Sequence, residues 1–370
     1  MNGTPFYGVG VNYYDAFTRY VGTGKDTTWM AGLTTLQSYN VPFIRVNAIG
    51  FWAPDIKANY INNKATFYAR LDTFMNEASK RHIGVILDVF WNWTGWTDMN
   101  GEHAAAIGDP NSATRKMMRT VAAEMVLRYK NHPALWGWEY ANESTSLMDL
   151  PDAINNYQWL PHYSTDAKRG PADNYTAPQM LSAIADFSRT VRINDTVTPI
   201  FSGNARPRYD AYHLPKSWDP DSPQQVGQIL TRDNVGTDTT SMHLYLTDET
   251  AAFGTDTVTK TVVAGNYSNT LAAIMARSKE VDAKGKLVDP RPFFLGEFGV
   301  SDADYGAAGA KTKFNQITDA ILANKVPMSA LWVFDLTSQN GTFNVTATNS
   351  RSYQLDKIKA MNATMKTWTP

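Results

Sequence analysis

The chain has 370 residues, with 34 Lys and Arg against 35 Asp and Glu, a formal net charge of −1, and no cysteine. Apolar residues make up 43% and charged residues 19%, with 11 tryptophans, a balance that excludes wholesale disorder. Near-neutrality gives no electrostatic pull toward nucleic acid or an anionic membrane, and zero cysteine removes disulfides, thiolate metal sites and a cysteine nucleophile.

No apolar run reaches the roughly 18 residues that a transmembrane helix needs. The opening Met1-Asn2-Gly3-Thr4-Pro5-Phe6 carries neither the basic segment nor the apolar stretch of a secretory signal. A secreted or cell-envelope location is expected once a leader has been removed, and a cytosolic one stays open. No linker, short repeat or charge block divides the chain.

In chain order, short apolar runs alternate with helical patterns. Strand Tyr7–Asn12 precedes helix Thr27–Tyr39, strand Phe43–Asn47 precedes Ala65–Arg81, and strand Gly84–Phe90 precedes Ala113–Tyr129. Strand Ala134–Tyr140 is followed by helix Pro178–Ile193, and strand Pro199–Ser202 by the least patterned helix, Gln224–Thr231. Strand Thr240–Tyr245 leads to helix Asn269–Ala283, Phe293–Glu297 to Lys311–Asn324, and Ala330–Phe334 to Tyr353–Met361. The strands lack clean alternation, as strands covered on both faces do. Eight such units predict an α/β protein, a (β/α)8 TIM barrel in a single domain over residues 1–370. No Gly-x-Gly-x-x-Gly follows a strand, which counts against a dinucleotide fold. The long insertions Trp91–Ser112 and Glu143–Ala177 then belong at the C-terminal rim, where barrel active sites sit.

Two strand ends carry chemistry. Leu135-Trp136-Gly137-Trp138-Glu139-Tyr140-Ala141-Asn142-Glu143 runs from a strand into an Asn-Glu pair, and Phe293-Phe294-Leu295-Gly296-Glu297-Phe298-Gly299-Val300 ends in a carboxylate between glycines. On strands four and seven the two carboxylates face each other across a barrel mouth. Glycosidic cleavage needs such a pair in unlike environments, one protonated to assist the leaving oxygen and one ionised to attack or steady the cationic sugar.

The order of these motifs resembles glycoside hydrolase family 5 and its relatives among the barrel glycosidases, over roughly residues 5–365. The resemblance implies Glu143 as acid/base, Glu297 as nucleophile and Asn142 as partner of the sugar 2-hydroxyl. Arg45 in Phe43-Ile44-Arg45-Val46-Asn47 matches the strand-two arginine that supports the nucleophile. His243 and Tyr245 match the strand-six His-x-Tyr beside it, Trp332 matches the strand-eight tryptophan flooring the cleaved sugar's subsite, and Gly8-Val9-Gly10-Val11-Asn12-Tyr13 matches the first strand. Two departures bear on the substrate. Strand three runs Leu87-Asp88-Val89-Phe90-Trp91-Asn92-Trp93 without the histidine frequent there, and Ser144 replaces the proline common after Asn-Glu in cellulases. A mannan-type enzyme, a β-glucanase and an exo-acting β-glycosidase all stay open.

Trp91, Trp93 and Trp96, just past strand three, and Trp52, past strand two, offer flat apolar faces to pyranose rings; loop packing is the plain alternative. Trp136 and Trp138, inside a strand, read as core. Glu139 reads as an interior carboxylate paired with a barrel Arg or His, and Asp88 as barrel interior or sugar contact. His103, His132, His162 and His213 show no metal-ligand spacing, so neither a metal nor a cofactor is expected. The expectation is a monomeric retaining β-glycosidase acting on a neutral carbohydrate. The rivals are a transglycosylase or wall-remodelling enzyme using the same intermediate, and a non-catalytic carbohydrate-binding barrel.

Overall fold

Eight parallel strands curl into one sheet in a computed structural model that describes residues 6–151, 170–214, 216–245, 267–277, 280, 284 and 286–368. They are β1 Gly8–Asn12, β2 Phe43–Asn47, β3 Gly84–Asp88, β4 Leu135–Glu139, β5 Ile200–Phe201, β6 Thr240–Leu244, β7 Phe293–Phe298 and β8 Met328–Leu331. The order β5-β4-β3-β2-β1-β8-β7-β6 places the two ends of the sheet side by side, and helices alternate with the strands as in a (β/α)8 barrel. The seam between β5 and β6 is stitched without a ladder. Asp238 N–H donates to Ile200 O at 2.9 Å, and the Asn234 carboxamide oxygen accepts from Ser202 Oγ at 2.6 Å and from Ser241 N at 2.9 Å. One side chain there does the work of a missing rung.

Strand parity sorts the core. Val9, Val11, Ile44, Val46, Val85 and Leu87 face outward and pack with helix residues such as Leu33, Leu36, Leu71 and Phe74. Inside the barrel, Phe43, Ile86, Phe201, Phe294 and Ala330 form an apolar floor, closed by Phe6, Trp136 and Met328. Trp138 is fully buried and donates to Asp195 Oδ2 at 2.9 Å, so both strand-four tryptophans serve packing.

Helix starts follow their caps. Ser112 Oγ accepts from Arg115 N at 3.1 Å to begin helix Ala113–Tyr129, and Ser222 with Gln225 forms a capping box at helix Pro223–Asp233. The helix expected over Lys311–Asn324 runs from Asp302 to Ala323, with Gly306 (φ 65°) kinking its first turns. The eighth strand lies earlier than expected. Pairing ends at Leu331, and Trp332 to Phe334 leave the ladder although they continue the apolar run. Of the insertion 143–177, residues 152–169 lie outside the described residues, as does His162. The other insertion holds the short helix Trp93–Met99. Among the described residues no helix is long and apolar enough to cross a membrane.

Candidate active site

Above the apolar floor the barrel interior turns polar. Two residues beyond Phe43 comes Arg45, two beyond Ile86 comes Asp88, and two beyond Gly137 comes Glu139, all fully buried. Arg45 is the hub. Its Nε donates to Glu139 Oε1 at 2.6 Å and its Nη1 to Glu297 Oε1 at 2.7 Å and Asn12 Oδ1 at 2.9 Å. Its Nη2 donates to Asn142 Oδ1 at 2.8 Å and Asp88 Oδ2 at 3.3 Å, and its guanidinium lies 4.5 Å from the centre of a Trp91 ring. A planar five-donor fork meets this demand where a lysine ammonium could not. Burial and the adjacent Glu139 carboxylate push the Asp88 carboxyl well above its ordinary range, while its carboxylate partners hold Arg45 charged.

Glu297 owes its aim to a bulge. Met242 pairs with Leu295 but His243 pairs with Glu297, so β7 carries one extra residue, Gly296. The carbonyl of Gly296 is taken up by Asn12 Nδ2 at 3.0 Å. A Cβ at Gly296 would meet His243 Nε2 at 3.0 Å, so glycine spares the imidazole a tight contact there. Both oxygens of Glu297 are held, Oε1 by Arg45 at 2.7 Å and Oε2 by Tyr245 Oη at 2.6 Å.

Glu143 lies four residues past the end of β4 with φ 48°, a left-handed conformation that a non-glycine residue rarely adopts. Its N–H donates to Gly203 O at 2.8 Å, and Gly203 (φ 70°) has no room for a Cβ, which would meet Ala141 O at 2.2 Å. Two turned-back residues thus lock the loops after β4 and β5 together behind the carboxylate. The side chain of Glu143 keeps 35% of its surface open against 5% for Glu297.

His243 Nδ1 stands 2.8 Å from Glu143 Oε1 and 3.5 Å from Glu297 Oε2. Expected beside Glu297, it is tied more closely to Glu143, with its ring between the two carboxyls. Burial pushes its pKa down to about 4, so the ring is neutral near neutral pH. A neutral ring accepts from a protonated Glu143 in one tautomer and donates to the carboxylate in the other. Burial raises Glu143 above the usual carboxylate range, opposed by the charges of Arg45 and Arg206. Burial also raises Glu297, opposed by His243 and Arg45, reinforced by Glu143 and opposed again by the Tyr245 hydrogen bond.

Next to the carboxylates opens a cleft of about 850 Å³, lined by Trp52, Trp91, Trp332 and Asn142 together with Tyr14 and Phe51. The Tyr14 ring centre lies 4.0 Å from Trp91, 4.3 Å from Phe51 and 5.3 Å from Trp332. Asn142 spends its carboxamide oxygen on Arg45, which leaves its NH2 as the group to offer a ligand hydroxyl.

Nine of the eleven expected site residues therefore gather here: Glu143, Glu297, Asn142, Arg45, His243, Tyr245, Trp332, Trp91 and Trp52. Two do not take the sugar-facing place expected for them. Asp88 is fully buried beneath Arg45, out of a ligand's reach. Trp93 starts a helix and packs edge-on against Tyr175 in the core, and Trp96 is buried with it. Tyr14, Phe51 and Asn12 were not foreseen. The signal for Tyr14 and Phe51 was available, since each is an aromatic within a few residues of a strand's C-terminal end.

Glu143, His243 and Glu297 each bring one ligand atom within 4.8 Å of the others, a spacing a divalent cation could bridge. Arg45, at 2.7 Å from Glu297, already supplies the countercharge and would repel such an ion.

The class defined so far is a (β/α)8 barrel with a carboxylate pair at its C-terminal mouth. No protein-family model matches the chain. Over 149 residues it is 30% identical to the "Probable mannan endo-1,4-beta-mannosidase A" of Aspergillus clavatus, covering 37% of this chain and 41% of that protein. Over 109 residues it is 28% identical to the mannan endo-1,4-beta-mannosidase F of Aspergillus fumigatus, covering 28% of this chain and 25% of that protein. The matched stretch thus spans well under half the length of these relatives. Among solved structures, the endo-1,4-beta-mannanase of Rhizomucor miehei superposes with a TM-score of 0.65 at 16% identity, covering 100% of this chain and 97% of that one. The endo-beta-1,4-mannanase of Thermotoga petrophila gives 0.60 at 12% identity, covering 99% and 78%. At these identities the structural likeness speaks for the barrel fold.

Proposed function

We propose that the chain is a retaining β-glycoside hydrolase whose substrate is a neutral β-1,4-linked mannan. The observation that carries the reaction type is the spacing of Glu143 and Glu297, whose nearest oxygens lie within 4.8 Å. Retaining enzymes hold their carboxyls about 5–5.5 Å apart, whereas inverting ones leave about 6.5–9.5 Å for a water. Mannan is the substrate named for the Aspergillus relatives, and the aromatic faces of the cleft, where Arg19 and Asp15 neutralise each other, suit a neutral sugar chain.

In the proposed reaction Glu297 Oε attacks the anomeric carbon as the glycosidic C–O bond breaks, and Glu143 gives its proton to the departing oxygen. Water then attacks the glycosyl ester, Glu143 takes a proton from it, and Glu297 is released. Burial keeps Glu143 protonated further into the neutral range than a free carboxyl. Esterification of Glu297 removes a negative charge from the neighbourhood of Glu143, which favours the switch from acid to base. Arg45 and Tyr245 oppose protonation of Glu297 and fix its orientation, and Asn142 offers its NH2 to the sugar 2-hydroxyl. Trp332, Trp91 and Trp52 give the ring apolar faces. Asp88 supports Arg45 and has no sugar contact in this mechanism. The reaction needs no cofactor. We also propose that the chain acts as a monomer and works outside the cytoplasm, where polymeric mannan is met.

The test is Glu297→Ala. Turnover of mannan oligosaccharides should vanish, and azide with an activated aryl mannoside should restore it with inverted product. Undiminished hydrolysis by this variant would sink the proposal.

A further inference from the structure

The cleft is built from segments following β1, β2, β3 and β8 and ends at Asn142. Glu143, the next residue, is bonded through its backbone to Gly203, at the start of the 202–222 loop after β5. If Glu143 protonates the leaving oxygen, as proposed above, the departing sugar extends toward that loop. The loop is firmly held. Arg208 donates to Ser146 O and Met148 O, both at 2.6 Å, and Asp221 accepts from Tyr212 N and pairs with His213 Nδ1, both at 2.8 Å.

Between the two fastenings at Gly203 and Arg208 lies Arg206. It is half-buried, interacts electrostatically with Glu143, and has no hydrogen bond or ion pair among the described residues. A partly desolvated guanidinium that donates no hydrogen bond is costly unless something brings acceptors to it, and its planar fork of donors matches neighbouring hydroxyls on a sugar ring. The same loop exposes Tyr209 by 45%, Tyr212 by 47% and Trp218 by 51%, so three flat apolar rings lie within ten residues of the chain. Their exposure suits stacking against further sugars of the same chain.

We infer that Arg206 binds the sugar on the leaving-group side of the scissile bond, with the exposed rings of its loop carrying the chain outward. This inference rests on the proposed hydrolase function. Arg206→Ala and Arg206→Lys are compared with wild type on β-1,4-mannopentaose and on a dinitrophenyl β-mannoside, whose leaving group has no hydroxyls. Charge-assisted hydrogen bonds make the expected loss in kcat/KM on the pentasaccharide about ten- to hundredfold for Arg206→Ala. That loss should exceed the loss on the aryl mannoside by at least about tenfold. Arg206→Lys, which keeps the charge but not the fork, should recover part of it. Melting temperatures should match wild type. Equal losses on both substrates, with the alkaline limb of the pH profile displaced upward, would overturn the inference and make Arg206 only a modifier of Glu143. Unchanged kinetics would also overturn it. Wild-type protein inactive on both substrates would instead remove the hydrolase reading itself.

Discussion

Replacing Arg45 with methionine removes the cation that faces Asp88, Glu139 and Glu297, at 3.3, 2.6 and 2.7 Å, in a place with no exposure. Methionine keeps much of the length, so the loss is mainly of charge and donors. Removing one member of a buried ion pair costs about 3–5 kcal/mol. Three carboxylates lose the same partner here, but Asp88 and Glu297, whose burial already favours the neutral form, can relieve themselves by taking a proton. With an unfolding entropy of about 2.1 cal/mol/K per residue, a chain of this length has about 0.8 kcal/mol/K, so Tm should fall by roughly 4–6 °C. The sign of the pH dependence follows from linkage. Without Arg45 the Asp88 and Glu297 carboxyls, already raised by burial, have folded pKa values raised further above their unfolded values. Their contribution is intact below the unfolded pKa and is lost as pH rises through the folded one. The deficit against wild type should therefore widen as pH rises above the ordinary carboxylate range. Activity should fall with it, and the acid limb of kcat/KM should move to higher pH, because Glu297 ionises later. Calorimetry and kinetics over that rise in pH provide the assay. A Tm within about 1 °C of wild type, or a deficit that narrows as pH rises, would refute the hub role given to Arg45.

Other substitutions divide the site by role. Glu143→Gln should cost about 10²–10⁴-fold in turnover with sugar leaving groups and much less with activated aryl leaving groups, and equal losses on both would contradict the acid/base role. Trp52→Ala and Trp332→Ala should each raise KM by about two- to tenfold, while Trp93→Ala should lower Tm first; kinetics beside calorimetry separate the two. His243, held down to about 4, should give neutral-ring nitrogen shifts by NMR at about pH 6. Its unfolded form takes up a proton near 6.5, so this residue costs stability as pH falls from about 6.5 toward 4, and a protonated ring at pH 6 would contradict the placement. Dialysis against a chelator should leave activity unchanged; a loss restored by a divalent cation would assign the Glu143–His243–Glu297 cluster to a metal instead.

The barrel and its carboxylates were legible because each strand is a short apolar run and an ionisable group at its end is conspicuous. Arg45 and Glu297 stood out as charges inside apolar sequence, and both are buried and paired. What escaped the sequence depends on three-dimensional register. Leu331-Trp332-Val333-Phe334 is as apolar as any strand, yet the ladder stops at Leu331 and frees Trp332 for the cleft. The extra residue at Gly296, which sets His243 against Glu297, leaves no trace in composition. Trp91 and Trp93 are alike by type and position, but a helix starts at Trp93 and sends it into the core. Asp88 lies on the same face as the site but one layer too deep. Tyr14 and Phe51 follow strand ends as the tryptophans do, and it is the course of the loops after β1 and β2 that brings their rings into the cleft.

The central claim is a double displacement by Glu143 and Glu297 on a β-mannan. Proton NMR of the first product formed from a β-1,4-mannan oligosaccharide, followed before mutarotation, tests it directly. The β-anomer appearing first is the predicted result. The α-anomer appearing first would contradict the two-carboxylate mechanism, and no product at all would contradict the substrate.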